Sequence, residues 1–558
     1  MPKYLICFLT VSLLTISNLS AQRYDLFLIG DPILEDIRYL SIASGRAFLS
    51  FTPPFAPGEV RNFLDSIDES SLSGTAAREA YSRIRNRLSG KSNLSISNGP
   101  LTASIDVNSA ITGRVRFNRD VNEYPENPNI DPFISLPLKF SFTDVLQLYV
   151  EPSVTMRPNK YNLDIFDLNI PNDYAVYDES NPLKAFAAAG GSWWNFQIGR
   201  DRLFWGTGNT GSLTFSDNSQ FFEFAYLSVF SPNFKYSVII NQFPMTLKRG
   251  LFPPDKDFDF NLDNNPSNWN DSSRIHESMN RYFYFHRCDI TLFNRISLAI
   301  MEGVMIGNAP LELRYLNPMA IFHSFFSWVN YSKWESPYEG EEWIIGDMSG
   351  SFLSLEANLN IVKNLAVYGQ VLINQFAVAG ERKTYSEFPP NGIGYLTGIQ
   401  FAHSFNIWHS VFFLEFIYTD PYLNLHSSPF NSFIQQNRYY QYYYIGYKRD
   451  TIALTFGAKF YNNDKIRITG DLAWICSGQH NEHGLIWNWT FGEKAFNEKT
   501  PTGIAENKFI LSVGADWKIF SWLILKTGLT GIYSVNNNHI QDNNVFGGQA
   551  LLSIGVRY

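Results

Sequence analysis

The sequence is poor in cysteine, in charge and in long apolar runs, and each shortage closes off a class of fold or function. Three cysteines occur in 558 residues, and Cys7 lies in an N-terminal apolar stretch, so processing would leave Cys288 and Cys476 and no disulfide framework. Charged residues make up 17% of the chain, below the roughly 25% of a soluble globular protein. Past the N-terminus no stretch approaches the roughly 18 consecutive apolar residues of a helical membrane span. A net charge of −8 gives no reason to expect a nucleic-acid partner. No G-x-S-x-G nucleophile motif occurs, although a Ser and His pair assembled from distant strands stays open.

Aromatic residues are abundant: 47 Phe, 30 Tyr and 13 Trp, 16% of the chain. The apolar excess is written with period two. Leu101, Ala103, Ile105, Val107, Ile111, Val115 and Phe117 alternate with Thr102, Ser104, Asp106, Asn108, Thr112, Arg114 and Arg116. The pattern recurs at Ile466, Ile468, Leu472, Trp474 and Cys476 against Lys465, Arg467, Thr469, Asp471 and Ser477, at Phe412, Leu414, Phe416 and Tyr418 against Glu415 and Thr419, and at Val367, Val371 and Ile373 against Tyr368, Gln370 and Asn374. Several of these runs exceed about ten residues, the length of a tilted bilayer-spanning strand. Strands of a soluble sandwich average about 5–6.

The connections have the same character. Short turns, read at Lys448-Arg449-Asp450 and Ser231-Pro232-Asn233, alternate with long polar segments at Leu247–Asn280, Asn330–Asp347 and Gly478–Asn507. Trp408, Trp517 and Trp522 near strand ends suit an interfacial aromatic girdle, with core tryptophans as the competing reading. The terminal ALLSIGVRY puts Ala550, Leu552, Ile554, Val556 and Tyr558 on one face, like the signal by which outer-membrane barrels are recognised for assembly. These features predict an all-β fold: a transmembrane antiparallel β-barrel. At ~25 residues per strand with its connection, it has roughly eighteen strands. Direct segmentation gives an odd number, which places an error between Arg438 and Ser477.

The N-terminus differs. MPKYLICFLTVSLLTISNLSAQ reads as a signal peptide over residues 1–21, cut after Ala21, with a transmembrane anchor as the competing reading. Helical spacing begins at Ile33, Leu34, Ile37 and Leu40, then recurs at Val60, Phe63 and Leu64 after Pro57, and at Ala77, Ala80, Ile84 and Leu88 with Ser73 or Thr75 as cap. Each helix is short for independent stability. Residues 22–95 are expected to form a helical periplasmic segment or plug, and 96–558 the barrel.

Gly206, Gly208 and Gly211 in WGTGNTGSLTF spell the dinucleotide fingerprint G-x-G-x-x-G. That fingerprint requires a helix after its glycines. The residues after Gly211, SLTFSDNSQFFEFAYLSVF, read as loop and strand, so the glycines are expected to let a loop turn tightly and approach other backbone.

GRDRLFWGTGNTGSL resembles the signature region of the Wzi family of outer-membrane capsule assembly proteins, and LELRYLNPMAIFH, Leu311 to His323, is also similar to that family. The acidic stretch Asp255 to Asp271 and the tyrosines from Tyr439 to Tyr447 match no pattern of the family. The resemblance implies a non-enzymatic, lectin-like barrel that assists capsular or exopolysaccharide assembly and attachment. Arg200, Asp201, Arg202, Trp205 and Asn209 of the first motif, with Glu312, Arg314 and Asn317 of the second, become candidates for polysaccharide binding or for organising the loop. The competing reading pairs these charges with one another inside the barrel.

No cofactor and no catalytic residue is expected. Asp255, Asp257, Asp259, Asn261 and Asp263 begin like a calcium loop, but Phe260 and Pro266 stand where Gly and Glu are required. His480 and His483 lack a helix to align them on a metal. The expected partners are polysaccharide, outer-membrane lipid and lipopolysaccharide, and the barrel assembly machinery, with the chain a monomer, its helices facing the periplasm and its long loops outside. The alternative function is a porin or diffusion channel for a small nutrient.

Overall fold

Strand pairing is antiparallel throughout the computed structural model, which describes residues 24–72, 74–89, 95–98, 100–118, 121, 132–154, 166–170, 184–216, 221–243, 281–307, 311, 315, 317, 349–376, 390–426, 432–436, 442–462, 465–480, 485 and 499–558. The signal-peptide residues, the acidic stretch from Asp255, Glu312, Arg314, Glu482 and His483 lie outside these. From Lys184–Gly190 onward each long strand pairs with its sequence neighbours: Trp194–Asp201, Phe222–Ser231, Phe234–Phe243, Arg281–Leu292, Ile296–Gly307, Ser349–Val362, Leu365–Gln375, Gly392–Phe405, Trp408–Thr419, Thr451–Asn462, Ile466–Ser477, Glu506–Phe520, Leu523–Val535 and Val545–Arg557. The last of these pairs with Asn108–Arg116, and Tyr558 and Val107 exchange both backbone hydrogen bonds.

The strand count departs from the expected eighteen: the described residues form 23 strand segments in one sheet and a separate two-stranded sheet. Proline is one reason, because it cannot donate to a ladder. Pro137 separates Ile134–Ser135 from Leu138–Phe142, and Pro152 separates Leu146–Glu151 from Ser153–Val154. The register passes through these breaks unshifted, Leu101 facing Phe142 and Asn108 facing Ser135. The tyrosine-rich run contributes Tyr442–Tyr444 to the small sheet, paired with Ile434–Gln436, and adds no long strand. Lys448-Arg449-Asp450 is accordingly the end of a long connection and not a short turn.

Period two becomes two unlike faces. On Trp408–Thr419 the exposed side carries Leu414 and Phe416, while Phe413, Glu415, Ile417 and Thr419 are buried. Leu355, Ile399, Leu454, Leu472, Leu511 and Leu552 continue the exposed apolar side around the sheet. A continuous exposed apolar surface of this kind is foreign to soluble monomers. Trp193, Trp517 and Trp522 are exposed at the end of the sheet where the turns are short.

Among the described residues three α-helices occupy the N-terminal segment: α1, Ile33–Ser44; α2, Pro57–Asp65; and α3, Thr75–Leu88. Pro57 starts α2 where its missing N–H is harmless, and Glu59 accepts a hydrogen bond from the Ala56 amide. Thr75 is the first residue of α3 and not its cap; Gly74 precedes it without a side-chain cap, and Ser73 lies outside the described residues. Ile37 and Leu40 pack with Val60, Phe63, Ala80 and Ile84, and this core continues onto Ala366, Ala402 and Val411 of the sheet. Backbone bonds from Asn364 to Ile42 and from Ala47 to Asn294 tie the helical segment to two short turns.

Ion pairs fix its seat. Arg83 meets Asp36 at 2.7 Å between helices, Lys459 meets Glu35 at 3.0 Å, and the fully buried Lys235 meets Glu59 at 2.5 Å while donating to Thr52. Burial pushes the Glu35 carboxyl up, but Lys459, Arg467 and Arg38 outweigh it and hold it at about 2. Its contribution is therefore complete above the ordinary carboxylate range and is lost as pH falls toward about 2. Limited proteolysis between pH 5 and pH 2 should find the helical segment of Lys459→Ala released at higher pH than in the unaltered chain. Lys235→Ala, which leaves Glu59 buried without its cation, should cost about 3–5 kcal/mol in denaturant unfolding. Lys235→Met/Glu59→Gln should recover most of that loss.

Candidate functional site

The connection after Trp194–Asp201 folds inward before the chain returns as Phe222–Ser231. Those two strands pair directly and antiparallel, and among the described residues no helix lies between Gly211 and Phe222, so the glycine pattern lacks the context that binds a dinucleotide. Its glycines serve close approach. A Cβ on Gly208 would collide with the Gly211 carbonyl, and one on Gly211 would lie 2.7 Å from the Tyr447 ring. Trp205 and Phe215 form an isolated antiparallel bridge that closes the loop at its base.

The loop carries an aromatic core into the interior. Trp205 is 1% exposed, with ring centroids of Phe215, Tyr226 and Phe285 at 5.5, 5.6 and 5.2 Å. A second inward connection meets it: Phe433 packs 5.6 Å from Phe283 and 5.0 Å from Phe352, and Leu423 and Ile445 join the same cluster. Arg281 ties this second connection to the sheet by donating to the carbonyls of Ser432 and Ile434.

Beneath the aromatic core lies a polar layer. The Glu415 carboxylate accepts from the amides of Asn209 and Thr210 at 2.7 and 2.9 Å, from the Thr210 hydroxyl, and from Tyr368 at 2.7 Å. Asn209 Nδ2 donates to Tyr368 Oη, and the Leu213 amide donates to Gln370 Oε1 at 2.8 Å. Arg287 bridges Asp289 and Glu356, each at 2.7 Å, with all three side chains buried. Such a layer is stable only when every charge has a partner.

The residues expected at the site are scattered across this arrangement. Asp201 is fully buried and accepts from the Arg202 amide. Arg200 lies on the opposite side of the same strand, facing outward, 3.5 Å from Glu223 and over the Phe221 ring. Arg202 and Asn209 are half-buried, and the Trp205 ring has no open face for a sugar. Asn317 is exposed. Of the second motif, Tyr315 packs 5.0 Å from Tyr284, and its carbonyl meets His286 Nε2 at 2.9 Å. Tyr284 and His286 face outward, because their neighbours Phe283, Phe285 and Arg287 face the interior. Tyr315, of the described residues of the second motif, thus touches the outer face of the sheet, opposite the face that Trp205 fills.

Arg38, Tyr368, Gln370 and Glu415 were absent from the sequence-derived site, although they hold the loop. Glu415 and its partner Asn209 are 206 residues apart. The available signal was a carboxylate flanked by apolar residues, Phe413 and Ile417, on the inward face of its strand. Among the described residues no group of three His, Cys, Asp or Glu could hold a metal, and Cys288 and Cys476 are both free.

No protein-family model matches the chain, and no curated protein matches it. Among solved structures it is similar to Wzi, an outer-membrane protein involved in group 1 capsule assembly in Escherichia coli and described as a carbohydrate-binding β-barrel. That match covers 95% of this chain and 98% of Wzi, with a TM-score of 0.54 and 14% identity. OccD3 of Pseudomonas aeruginosa (TM-score 0.41, 8% identity, 84% of this chain and 93% of that one) and the outer-membrane channel DcaP of Acinetobacter baumannii (0.35, 8%, 83% and 99%) are too distant to carry an argument. The likeness to Wzi is one of fold, and the fold is that of an outer-membrane β-barrel protein.

Trp205→Ala should cost about 3–5 kcal/mol by leaving a large cavity, whereas Trp205→Phe should keep most of the stability. Glu415→Ala, which strands two loop amides, should cost about 1–3 kcal/mol. The loss of folded protein on heating in detergent, followed by gel mobility, measures all three.

Proposed function

We propose that the chain is a non-enzymatic outer-membrane protein that binds surface polysaccharide and helps assemble capsule or exopolysaccharide and retain it at the cell surface. Residues 96–558 form its barrel, of about eighteen strands once segments sharing one register are joined, and Val545–Arg557 closes it against Asn108–Arg116. Residues 22–95 form a periplasmic plug, and the long connections face outside. The observation that carries this reading is the filled interior: helices occupy the short-turn end, and the loop of Trp205 and Phe215 occupies the middle. A nutrient channel has no use for two obstructions in series. The fold likeness to a carbohydrate-binding barrel supports the same conclusion.

The polymer meets the outward ends of the long connections, where Arg202 and Asn317 supply polar contacts, while Asp201, Trp205 and Asn209 organise the loop beneath; Glu312 and Arg314, outside the described residues, are proposed as further contacts from their place in the second motif. Arg200 faces lipid and lipopolysaccharide. The protein acts as a monomer and reaches the membrane through the barrel assembly machinery.

A diffusion channel remains the second reading, favoured by one observation. On the strands from Ile466 to Val535 the inward Thr469, Asp471, Ser512, Lys526 and Thr530 are half-exposed, unlike the buried inner faces of strands such as Phe222–Ser231 and Trp408–Thr419.

The ratio of cell-bound to released polysaccharide in a strain lacking the gene, with and without a complementing copy, tests the proposal. Polymer should still be made but shift into the medium, and complementation should restore it. An unchanged ratio would sink the attachment role and leave the channel reading.

A further inference from the structure

Two obstructions fill the interior, and one side chain joins them. Arg38 projects from α1 to the inward loop, with Nη1 donating to the Thr207 carbonyl at 3.0 Å and to Asn209 Oδ1 at 3.3 Å, and Nη2 to the Gly208 carbonyl at 3.3 Å. Its guanidinium lies 5.0 Å from the Phe51 ring centroid, and the Phe51 carbonyl accepts from the Gly206 amide at 3.0 Å. The loop is therefore stitched to the helical segment by backbone as well as by side chain.

The turn from Thr207 to Thr210 is held from both sides in a polarised way. Its carbonyls face the cation of Arg38, and its amides face the anion of Glu415 on Trp408–Thr419. Each charge satisfies the end of the peptide dipole that the other cannot, so neither substitutes for its opposite. The helix is in turn seated on the sheet through Glu35 and Lys459 one turn away from Arg38. The guanidinium fork of Arg38 matches two consecutive carbonyls, a geometry a single ammonium cannot reproduce.

We propose that Arg38 is a latch coupling the two closures, so that the inward loop holds its blocking position only while α1 is seated. Unseating α1 withdraws the donor from Thr207 and Gly208, leaves their carbonyls unsatisfied and releases the loop toward solvent. The barrel then opens as a unit, in place of exposing one obstruction behind another. This rests on the filled interior that the proposed function also uses, but not on polysaccharide binding: an unchanged polysaccharide ratio leaves the latch standing, a closed Arg38→Ala overturns the latch alone, and a steadily conducting parent removes the ground of both.

The test is conductance of the purified full-length chain in a planar lipid bilayer. The unaltered protein should be closed nearly all the time. Arg38→Ala should raise the open fraction about tenfold or more, the shift produced by losing one charge-assisted hydrogen bond. Glu35→Ala should do likewise, and in the double variant the two effects should multiply until the open state dominates, because one step breaks both contacts. Arg85→Ala, on the exposed face of α3, should change nothing. The latch is overturned if Arg38→Ala, folded by heat-modifiable gel mobility, stays as closed as the parent, or if the parent itself conducts steadily. Should Arg38→Ala fail to fold, Arg38→Lys keeps the charge without the fork: openings support the latch, and silence overturns it.

Discussion

Everything in this structure depends on a sheet whose two faces meet different surroundings and whose long strands have partners on both sides. Tyr558 and Val107 exchange backbone hydrogen bonds, so the end of the chain is bonded to the first long strand. In a hydrocarbon environment an unpaired strand edge costs several kcal/mol per group. That constraint sends apolar side chains such as Leu414 and Leu472 outward and leaves polar and aromatic ones facing in. The interior must then be filled by whatever the connections and the N-terminal segment supply.

Two suppliers meet there. Helices enter at the short-turn end and bury Leu40, Phe63 and Ile84 against Ala366 and Ala402. The loop from Leu203 to Ser216 enters from the other direction and buries Trp205 and Phe215 among the inward rings of the sheet. Between them lies a layer of charges, each held by an ion pair or by hydrogen bonds: Lys235 by Glu59, Arg287 by Asp289 and Glu356, and Glu415 by the Asn209 and Thr210 amides and Tyr368. Charges inside a low-dielectric interior are tolerated only when paired or hydrogen-bonded in this way, which explains why so polar a layer can sit beneath an aromatic core.

Much of the wall was legible in the sequence because side-chain period is a local property. The alternation through Ile466–Ser477 and the helical spacing around Ile37, Phe63 and Ala80 correspond to elements of the structure. The strand count was not, since Pro137 and Pro152 divide strands whose register continues across them. Lys448-Arg449-Asp450 read as a short turn, yet Tyr442–Tyr444 before it pair with Ile434–Gln436 in a separate sheet, because β-propensity does not say which sheet a strand joins. Arg200 and Asp201 stand adjacent in sequence yet face opposite sides, a difference decided by the pleat and not by residue type.

By itself the sequence determined the two-faced strands, the three short amphipathic helices and the glycines that permit a tight loop, because each arises from spacing or from the steric freedom of one residue. Only the tertiary structure decided that Trp205 is sealed in a core, that Tyr315 covers the outer face, and that Arg38, Asn209, Tyr368 and Glu415 form one network. These are contacts between residues up to hundreds of positions apart. Their geometry is set by strand register around the sheet, and no local pattern encodes where a register brings two distant side chains together.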